Sequence, residues 1–264
     1  MILFKTSFYK KYIEPVKLNI SDTEYAYLAG IIDTDGSISL SKTGKSKHVP
    51  KYKVLVEVCN NAEELIEWLK QRIPRYNLRK LNNRTYIFSI HHIGICWKLL
   101  PNIVERLVLK SRQAQLVLKA LELKYKFWRS ENEGYRTEME KLHESLKWIN
   151  RKGKHEDEEI QNTYYDKCTK NELYAYLAGA IDGDGSIYTN HKGVVQVSIG
   201  TKSEKYARWL SEHIEGSFAW YSESANIWMV SLKVDYFVYQ LLNECVKYSV
   251  IKKELMEKIL ENVK

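Results

Sequence analysis

From its N-terminal end the chain alternates between two periodicities. Residues Tyr25–Gly36 read as a helix, and Ser21-Asp-Thr-Glu24 just ahead has the spacing of a capping box. The segments GSISLSK (36–42) and KYKVLVEV (51–58) then alternate polar with apolar residues, which predicts an antiparallel hairpin with one wet face. A helical stretch follows at AEELIEWLKQRI (62–73), then strands around Arg75–Lys80 and Arg84–Ile90, then helices over Ile95–Val108 and Gln113–Phe127. The same succession recurs further on. A helix follows Thr169-Lys-Asn-Glu172, and strands are predicted at GSIYTNH (185–191) and, less regularly, VVQVSIG (194–200). A helix at SEKYARWLSEHI (203–214), strands around Ser217–Tyr221 and Asn226–Leu232, and closing helices over Val234–Tyr248 and Lys253–Val263 complete it. The predicted fold class is α+β, an αββαββα unit used twice with pseudo-symmetry.

The recurrence is a duplication. YAYLAGIIDTDGSI (25–38) and YAYLAGAIDGDGSI (174–187) agree at 12 of 14 positions with an offset of 149 residues, and the elements follow in the same order. The expected organisation is an N-terminal extension (1–20), a first repeat (21–120), a largely helical linker (121–166) and a second repeat (167–264). The linker is expected to be helical around Glu131–Ile149 and more mobile near Lys152–Glu159. It holds 9 Lys/Arg against 11 Asp/Glu, or −2, so the net +8 of the 264-residue chain leaves +10 on the rest. The positive charge belongs mainly to the repeats, and a polyanion is the partner to expect first. With 44% hydrophobic and 28% charged residues, a packed core is feasible. No apolar run approaches the ~18–20 residues of a membrane span, and MILFKTSFYKKY has no secretory cleavage pattern. Cys59, Cys96, Cys168 and Cys245 lie far apart with no CxxC pair, which fits neither a zinc site nor a disulfide framework. The expectation is an intracellular protein, cytoplasmic in a prokaryote or housed in a mitochondrion or chloroplast, and not secreted.

The duplicated segment carries the candidate chemistry. Ala26 and Gly30, like Ala175 and Gly179, give each helix a small-residue face, so the two helices are expected to pack on each other. Asp33 and Asp35 fall in the last turn before Gly36, and Asp182 and Asp184 in the last turn before Gly185. Carboxylates there face the negative end of the helix dipole, at ~0.3–1 kcal/mol each. Side-by-side packing adds repulsion between Asp35 and Asp184, ~4 kcal/mol for charges ~4 Å apart at an effective dielectric of 20. A compensating hard divalent cation with oxygen ligands, such as Mg2+, is implied. One copy alone would read as a turn. An EF-hand is excluded, because Ile31 and Lys42, or Ala180 and His191, would occupy ligand positions.

Two copies of [YL]-L-A-G-x-I-D-x-D-G-S at this separation resemble the single-chain, two-motif LAGLIDADG homing endonucleases, over both repeats. The resemblance implies motif helices at a central interface and antiparallel sheets forming a saddle on double-stranded DNA. It implies a monomer with no obligate protein partner and no membrane association. The activity implied is site-specific hydrolysis of both strands at a long site, with a short stagger and 3′ overhangs. Asp35 and Asp184 would bind Mg2+ or another divalent cation beside the scissile phosphates, with the Thr34 and Gly183 carbonyls able to join. Ca2+ would support binding without cleavage. Asp33 and Asp182 would have a supporting role. Family members place a basic residue near the start of a late helix; LVLKSRQAQLVLKALELK points to Lys110, and aligning Leu99-Leu100 with Leu241-Leu242 puts Lys252 in the equivalent place. The residue ending the second strand, Asn60 or Thr201, would position water.

By alternation with Ile38 and Leu40, Ser37, Ser39 and Ser41 face outward, as do Lys51, Lys53 and Glu57 on the second strand. Arg75, Asn77 and Arg79 share parity on the third, and Ser186, Tyr188, Asn190, Gln196 and Ser198 follow the rule in the second repeat. Two-stranded ribbons of this kind fit the major groove, where Arg suits the O6/N7 edge of guanine. Lys42, Lys45, Lys47, His48 and Lys51 make a basic hairpin tip suited to phosphates. The rival reading is an intron-encoded RNA maturase or a non-cleaving nucleic-acid-binding protein of the same fold; acidic residues kept in both motifs favour the nuclease. The end MEKILENVK lacks the His-Asn terminus of an intein, which favours a freestanding protein.

Overall fold

The computed structural model describes residues 8–43, 51–81, 84–127, 132–151, 163–191 and 193–262. The stretch near Lys152–Glu159 and the tip residues Lys45, Lys47 and His48 lie outside the described residues. The chain divides into two compact units. One comprises Met1–Ile20, Gly36–Glu105 and Lys110–His155; the other comprises Ser21–Asp35, Arg106–Leu109 and Glu156–Lys264. The division cuts across the duplication, since the first motif helix belongs to the unit that holds the second.

In the first unit, β1 (Gly36–Thr43), β2 (Lys51–Asn60), β3 (Asn77–Lys80) and β4 (Tyr86–Ile90) form an antiparallel sheet in the order β1-β2-β4-β3. Period-two alternation buries Ile38, Leu40, Tyr52, Val54, Val56 and Val58 on one face. The other face pairs Ser37 with Glu57, Ser39 with Leu55 and Ser41 with Lys53. The core is completed by Leu65 and Leu69 of α2 (Glu63–Arg72), Leu99 and Leu100 of α3 (Ile93–Ile103), Val117 of α4 (Ser111–Lys126) and Met139 of α5 (Glu133–Ile149). The predicted extension contributes a π-helical turn, Tyr9–Ile13, which packs on α3 with Phe8 and Ile13 buried.

The linker helix α5 starts where Asn132 caps the Tyr135 N–H at 2.9 Å. It lies along β1, whose position at the sheet edge would otherwise leave a row of unpaired carbonyls. Asn150 Nδ2 donates to Ile38 O at 2.9 Å, and His143 Nδ1 lies 2.6 Å from Leu40 O.

In the second unit, α1 (Asp22–Asp35) packs on α6 (Lys170–Asp184). The first capping box forms, with Glu24 N donating to Ser21 Oγ and Ser21 N donating back to Glu24 Oε2; at α6 Thr169 is the N-cap, accepting from Glu172 N, while its hydroxyl lies 3.1 Å from Glu172 Oε2. The strands β5 (Gly185–Thr189), β6 (Val195–Thr201), β7 (Phe218–Ser222) and β8 (Ile227–Leu232) repeat the first sheet's topology in the order β5-β6-β8-β7. Helices α7 (Glu204–His213), α8 (Asp235–Cys245) and α9 (Lys253–Glu261) complete the unit. Each repeat therefore runs αββαββ and closes with two helices. The helix predicted over Ile95–Val108 stops at Ile103, because the Val108 N–H goes to the carboxylate of Asp33 rather than to a helical carbonyl. Inside the second unit Arg106 is paired with Glu172 at 2.8 Å and Asp22 at 2.9 Å. Among the described residues no helix is long and apolar enough to cross a membrane, and all four cysteines are free.

Candidate active site at the paired helix ends

Every residue of α1 from Tyr25 to Asp33 is buried, which is possible only because α6 presents an equally apolar surface to it. The contact is backbone on backbone. A Cβ on Gly30 would sit 2.3 Å from Tyr176 O, and one on Gly179 would sit 2.2 Å from Tyr27 O; Ala26 and Ala175 are fully buried. The approach persists to the C-terminal ends, where a Cβ on Gly183 would fall 2.1 Å from Thr34 Oγ1 and 3.3 Å from Asp35 Oδ2. This explains the one polar difference between the two motif copies. Thr34 donates to Gly30 O at 2.9 Å and fills the space that a side chain at position 183 would need.

The two aspartates of each motif have different surroundings. Asp33 and Asp182 are each 2% exposed, and each receives a tyrosine hydroxyl from the opposite motif helix. Tyr176 donates to Asp33 Oδ2 at 2.8 Å and Tyr27 to Asp182 Oδ2 at 2.9 Å. Burial, reinforced by the facing carboxylates, pushes both phenols well above the ordinary tyrosine value, so they remain O–H donors. Asp35 is partly exposed and Asp184 is exposed. The outer pair is thus the one that faces outward.

The two lysines singled out from the sequence both stand immediately before a helix. Lys110 precedes α4 with φ −106° and ψ 16°, and Lys252 precedes α9 with φ −101° and ψ 11°; neither makes a side-chain cap. Lysine is a poor choice there, since it offers no acceptor to the helix N–H groups and sets a cation at the positive end of the dipole. Lys252 reaches instead to the other end of the dipole of α6, donating to Ile181 O at 2.7 Å and Asp182 O at 2.6 Å. Burial holds its ammonium below the ordinary lysine pKa, against the opposing pull of Asp182, Asp35 and Asp184. Asn60 and Thr201 close turns: Ala62 N donates to Asn60 Oδ1 at 2.7 Å and Ser203 N to Thr201 Oγ1 at 3.2 Å.

On the first sheet, Ser37, Glu57, Ser89 and Asn77 stand in one lateral row. Glu57 accepts from Ser89 at 2.6 Å and lies 3.8 Å from Arg79. Ser39, Ser41, Lys51 and Lys53 are on the same face, Lys51 exposed. Arg75 falls before β3 rather than on it, 2.9 Å from His92 Nε2. Lys42 is tied to Glu140 of the linker helix at 2.9 Å, so this tip lysine is engaged within its own unit. On the second sheet the open face is aromatic. Tyr188, Phe218 and Trp220 are exposed beside Ser186, and Tyr188 donates to Gln196 Oε1 at 2.6 Å. Asn190 holds the hairpin turn, accepting from Val194 N. Ser198 has the expected parity but is only 6% exposed. Its row neighbour Ser231 accepts from the Trp220 indole at 3.0 Å, so an aromatic ring lies across this row. The tyrosine pair was missed by periodicity, although Tyr27 and Tyr176 occupy equivalent places in the two motif copies.

Asp35 and Asp184 are hard oxygen donors, and among the described residues no group of three or more His, Cys, Asp or Glu gathers as a metal site. Two carboxylates, with the Thr34 and Gly183 carbonyls nearby in sequence, fit an ion that keeps water and takes its remaining oxygens from a phosphate, as Mg2+ does.

Residues 171–259 match the family model of a LAGLIDADG-like domain. No curated protein matches the chain by sequence. Among solved structures it is similar to meganuclease I-SmaMI bound to uncleaveable DNA with a TTCT central four, at 18% identity over 91% of this chain and 90% of that one, with a TM-score of 0.68. I-SmaMI bound to uncleaved DNA target in the presence of calcium ions matches at 19% identity, 93% and 90% coverage and a TM-score of 0.65. The LAGLIDADG homing endonuclease I-GzeII in complex with its DNA target matches at 13% identity, 92% and 89% coverage and a TM-score of 0.69. The resemblance first carried by the doubled motif therefore extends to the fold: residues 171–259 match a LAGLIDADG-like domain, and the chain has the fold of the solved structures of I-SmaMI and the LAGLIDADG homing endonuclease I-GzeII.

Proposed function

We propose that the chain is a site-specific, metal-dependent DNA endonuclease that hydrolyses both strands of a long recognition site. The observation that carries this reading is the outward-facing acidic tip on each of two helices packed backbone to backbone. Like charges at the negative ends of adjacent dipoles repel one another, and a divalent cation with a phosphate offsets that repulsion. DNA in the I-SmaMI and I-GzeII structures, and calcium with the former, support the same reading.

Asp35 and Asp184 hold the divalent ions, Mg2+ by preference, with the Thr34 and Gly183 carbonyls as further donors. When bound, such ions supply an activated water and neutralise charge at the scissile phosphate. Lys252 adds fixed positive charge beside one helix end, where the transition state becomes more negative, and Lys110 serves the other strand. The first sheet presents Ser37, Ser39, Ser41, Lys51, Lys53, Glu57, Asn77 and Arg79 to the duplex, with Arg75 beside them; the second presents Ser186, Tyr188 and Gln196. Repeats 21–120 and 167–264 each serve half of the site, joined through 121–166, so one chain cuts both strands, with a stagger that leaves 3′ overhangs. The test is to incubate the protein with a randomised duplex library in MgCl2, CaCl2 or chelator. One family of cut sites with 3′ overhangs in MgCl2, and binding without cutting in CaCl2, is expected. Failure to cut any duplex in MgCl2, or cutting that persists in chelator, contradicts the proposal.

A further inference from the structure

Asp182 collects more donors than a carboxylate buried at a helix end needs. Its Oδ1 accepts from Ser249 Oγ at 2.7 Å and Lys252 N at 3.0 Å, and its Oδ2 from Val250 N at 2.7 Å, Ile251 N at 3.0 Å and Tyr27 OH at 2.9 Å. Three successive backbone amides turned toward one anion make a nest. The segment they belong to is the approach to α9, whose N-cap position is held by Lys252. Three helices of the chain are capped by the side chain at that position, Asn132, Thr169 and Ser203 each accepting from the helix they open, whereas those that follow Ala62, His92, Lys110 and Val234 are not. Before α9 the residue cannot do so, and the anion arrives from α6 instead. The lysine is thereby fixed at two points, its backbone amide on the Asp182 carboxylate and its ammonium on the Ile181 and Asp182 carbonyls.

We infer that Asp182 is a positioning residue for Lys252: it clamps residues 249–252 to the second motif helix, and Tyr27 of the first motif helix completes the clamp. The ammonium is then held by backbone geometry over the helix end that carries Asp184. The first motif has the corresponding pieces, with Val108 N and Tyr176 OH both on Asp33 Oδ2. Each motif helix so contributes a tyrosine to the other's inner aspartate. The inference rests on the endonuclease reading only for what Lys252 does, not for how it is held.

Two readouts separate those parts. The first needs no DNA: amide hydrogen exchange of residues 249–252 in wild type, Asp182→Asn and Tyr27→Phe, with unfolding midpoints to show that each variant is folded. Exchange of the Val250, Ile251 and Lys252 amides is expected to speed up about 10-fold or more in Asp182→Asn and less in Tyr27→Phe, with α9 itself unchanged. Should Asp182→Asn not fold, Tyr27→Phe and Ser249→Ala keep the carboxylate and carry the same test. The second readout is strand-resolved nicking of a supercoiled plasmid bearing the duplex selected above. Asp182→Asn is expected to slow one strand by about 100-fold, the cost of a misplacement of order 1 Å beside the reacting centre, and the same strand that Lys252→Ala slows. Unchanged exchange at 250–252 in a folded variant overturns the inference, as does equal slowing of both strands. A wild-type protein that cuts no duplex overturns the endonuclease reading, while the exchange result still decides the clamp.

Discussion

Two glycines fix the distance on which the site depends. At Gly30 and Gly179 the atom that an added methyl would strike is a backbone carbonyl of the partner helix, so no side chain can swing aside. Gly179→Ala is therefore predicted to lose about 1–3 kcal/mol through overpacking, or more if the helices cannot separate, measured as a lower urea midpoint. A second residue-scale prediction concerns Arg106 and Glu172, whose side chains are each 11% exposed. Removing one partner strands the other, so Arg106→Ala should cost roughly 3–5 kcal/mol. Burial pushes Glu172 up, but hydrogen bonds from Tyr164 and Arg106 together outweigh it and hold its pKa below the ordinary value. A carboxylate depressed in the folded state gives stability above its unfolded pKa of ~4.3 and loses it as pH falls through the lower folded value. Glu172→Gln should be less stable than wild type at pH 7 and lose less on acidification from pH 5 to 3, as read from unfolding free energies across that range.

The elements themselves were largely legible. Strand parity, the capping box at Ser21, and the helix ends before Gly36 and Gly185 are local, and local patterning specified them correctly. What the pattern missed depends on partners distant in the chain. The predicted end of α3 was displaced because Asp33, 75 residues away, claims the Val108 N–H. Ser198 kept its parity and lost its exposure because alternation assigns a side but not what lies over it. Nor does a period of two say that one open face will be aromatic and the other polar and basic. This difference is testable: Trp220→Ala should weaken DNA binding several-fold in a gel-shift titration, as base–aromatic and methyl contacts in the groove are lost, whereas Ser198→Ala should not change it. An equal effect of both substitutions would place the second sheet's contacts elsewhere.

At the scale of the molecule, charge and duplication work together. The net +8 leaves +10 outside the near-neutral linker, on segments that include both sheets and both motif helices. A protein that neutralises ~6–10 phosphates loses about 10³–10⁵ in affinity between 50 and 200 mM salt, and a slope of that order is predicted for the selected duplex. Duplication supplies two acidic tips from one gene, and α1 and α6 sharing one compact unit is what brings both to the same site. In the proposed enzyme Asp35 and Asp184 hold the ions that cut, while other groups bind the duplex. The direct measurement pairs cleavage with affinity for Asp35→Asn and Asp184→Asn on the selected duplex in MgCl2. Each substitution is expected to abolish double-strand cutting and to leave the dissociation constant in CaCl2 within a few-fold of wild type. Double-strand cutting at the wild-type rate by either variant would contradict that assignment.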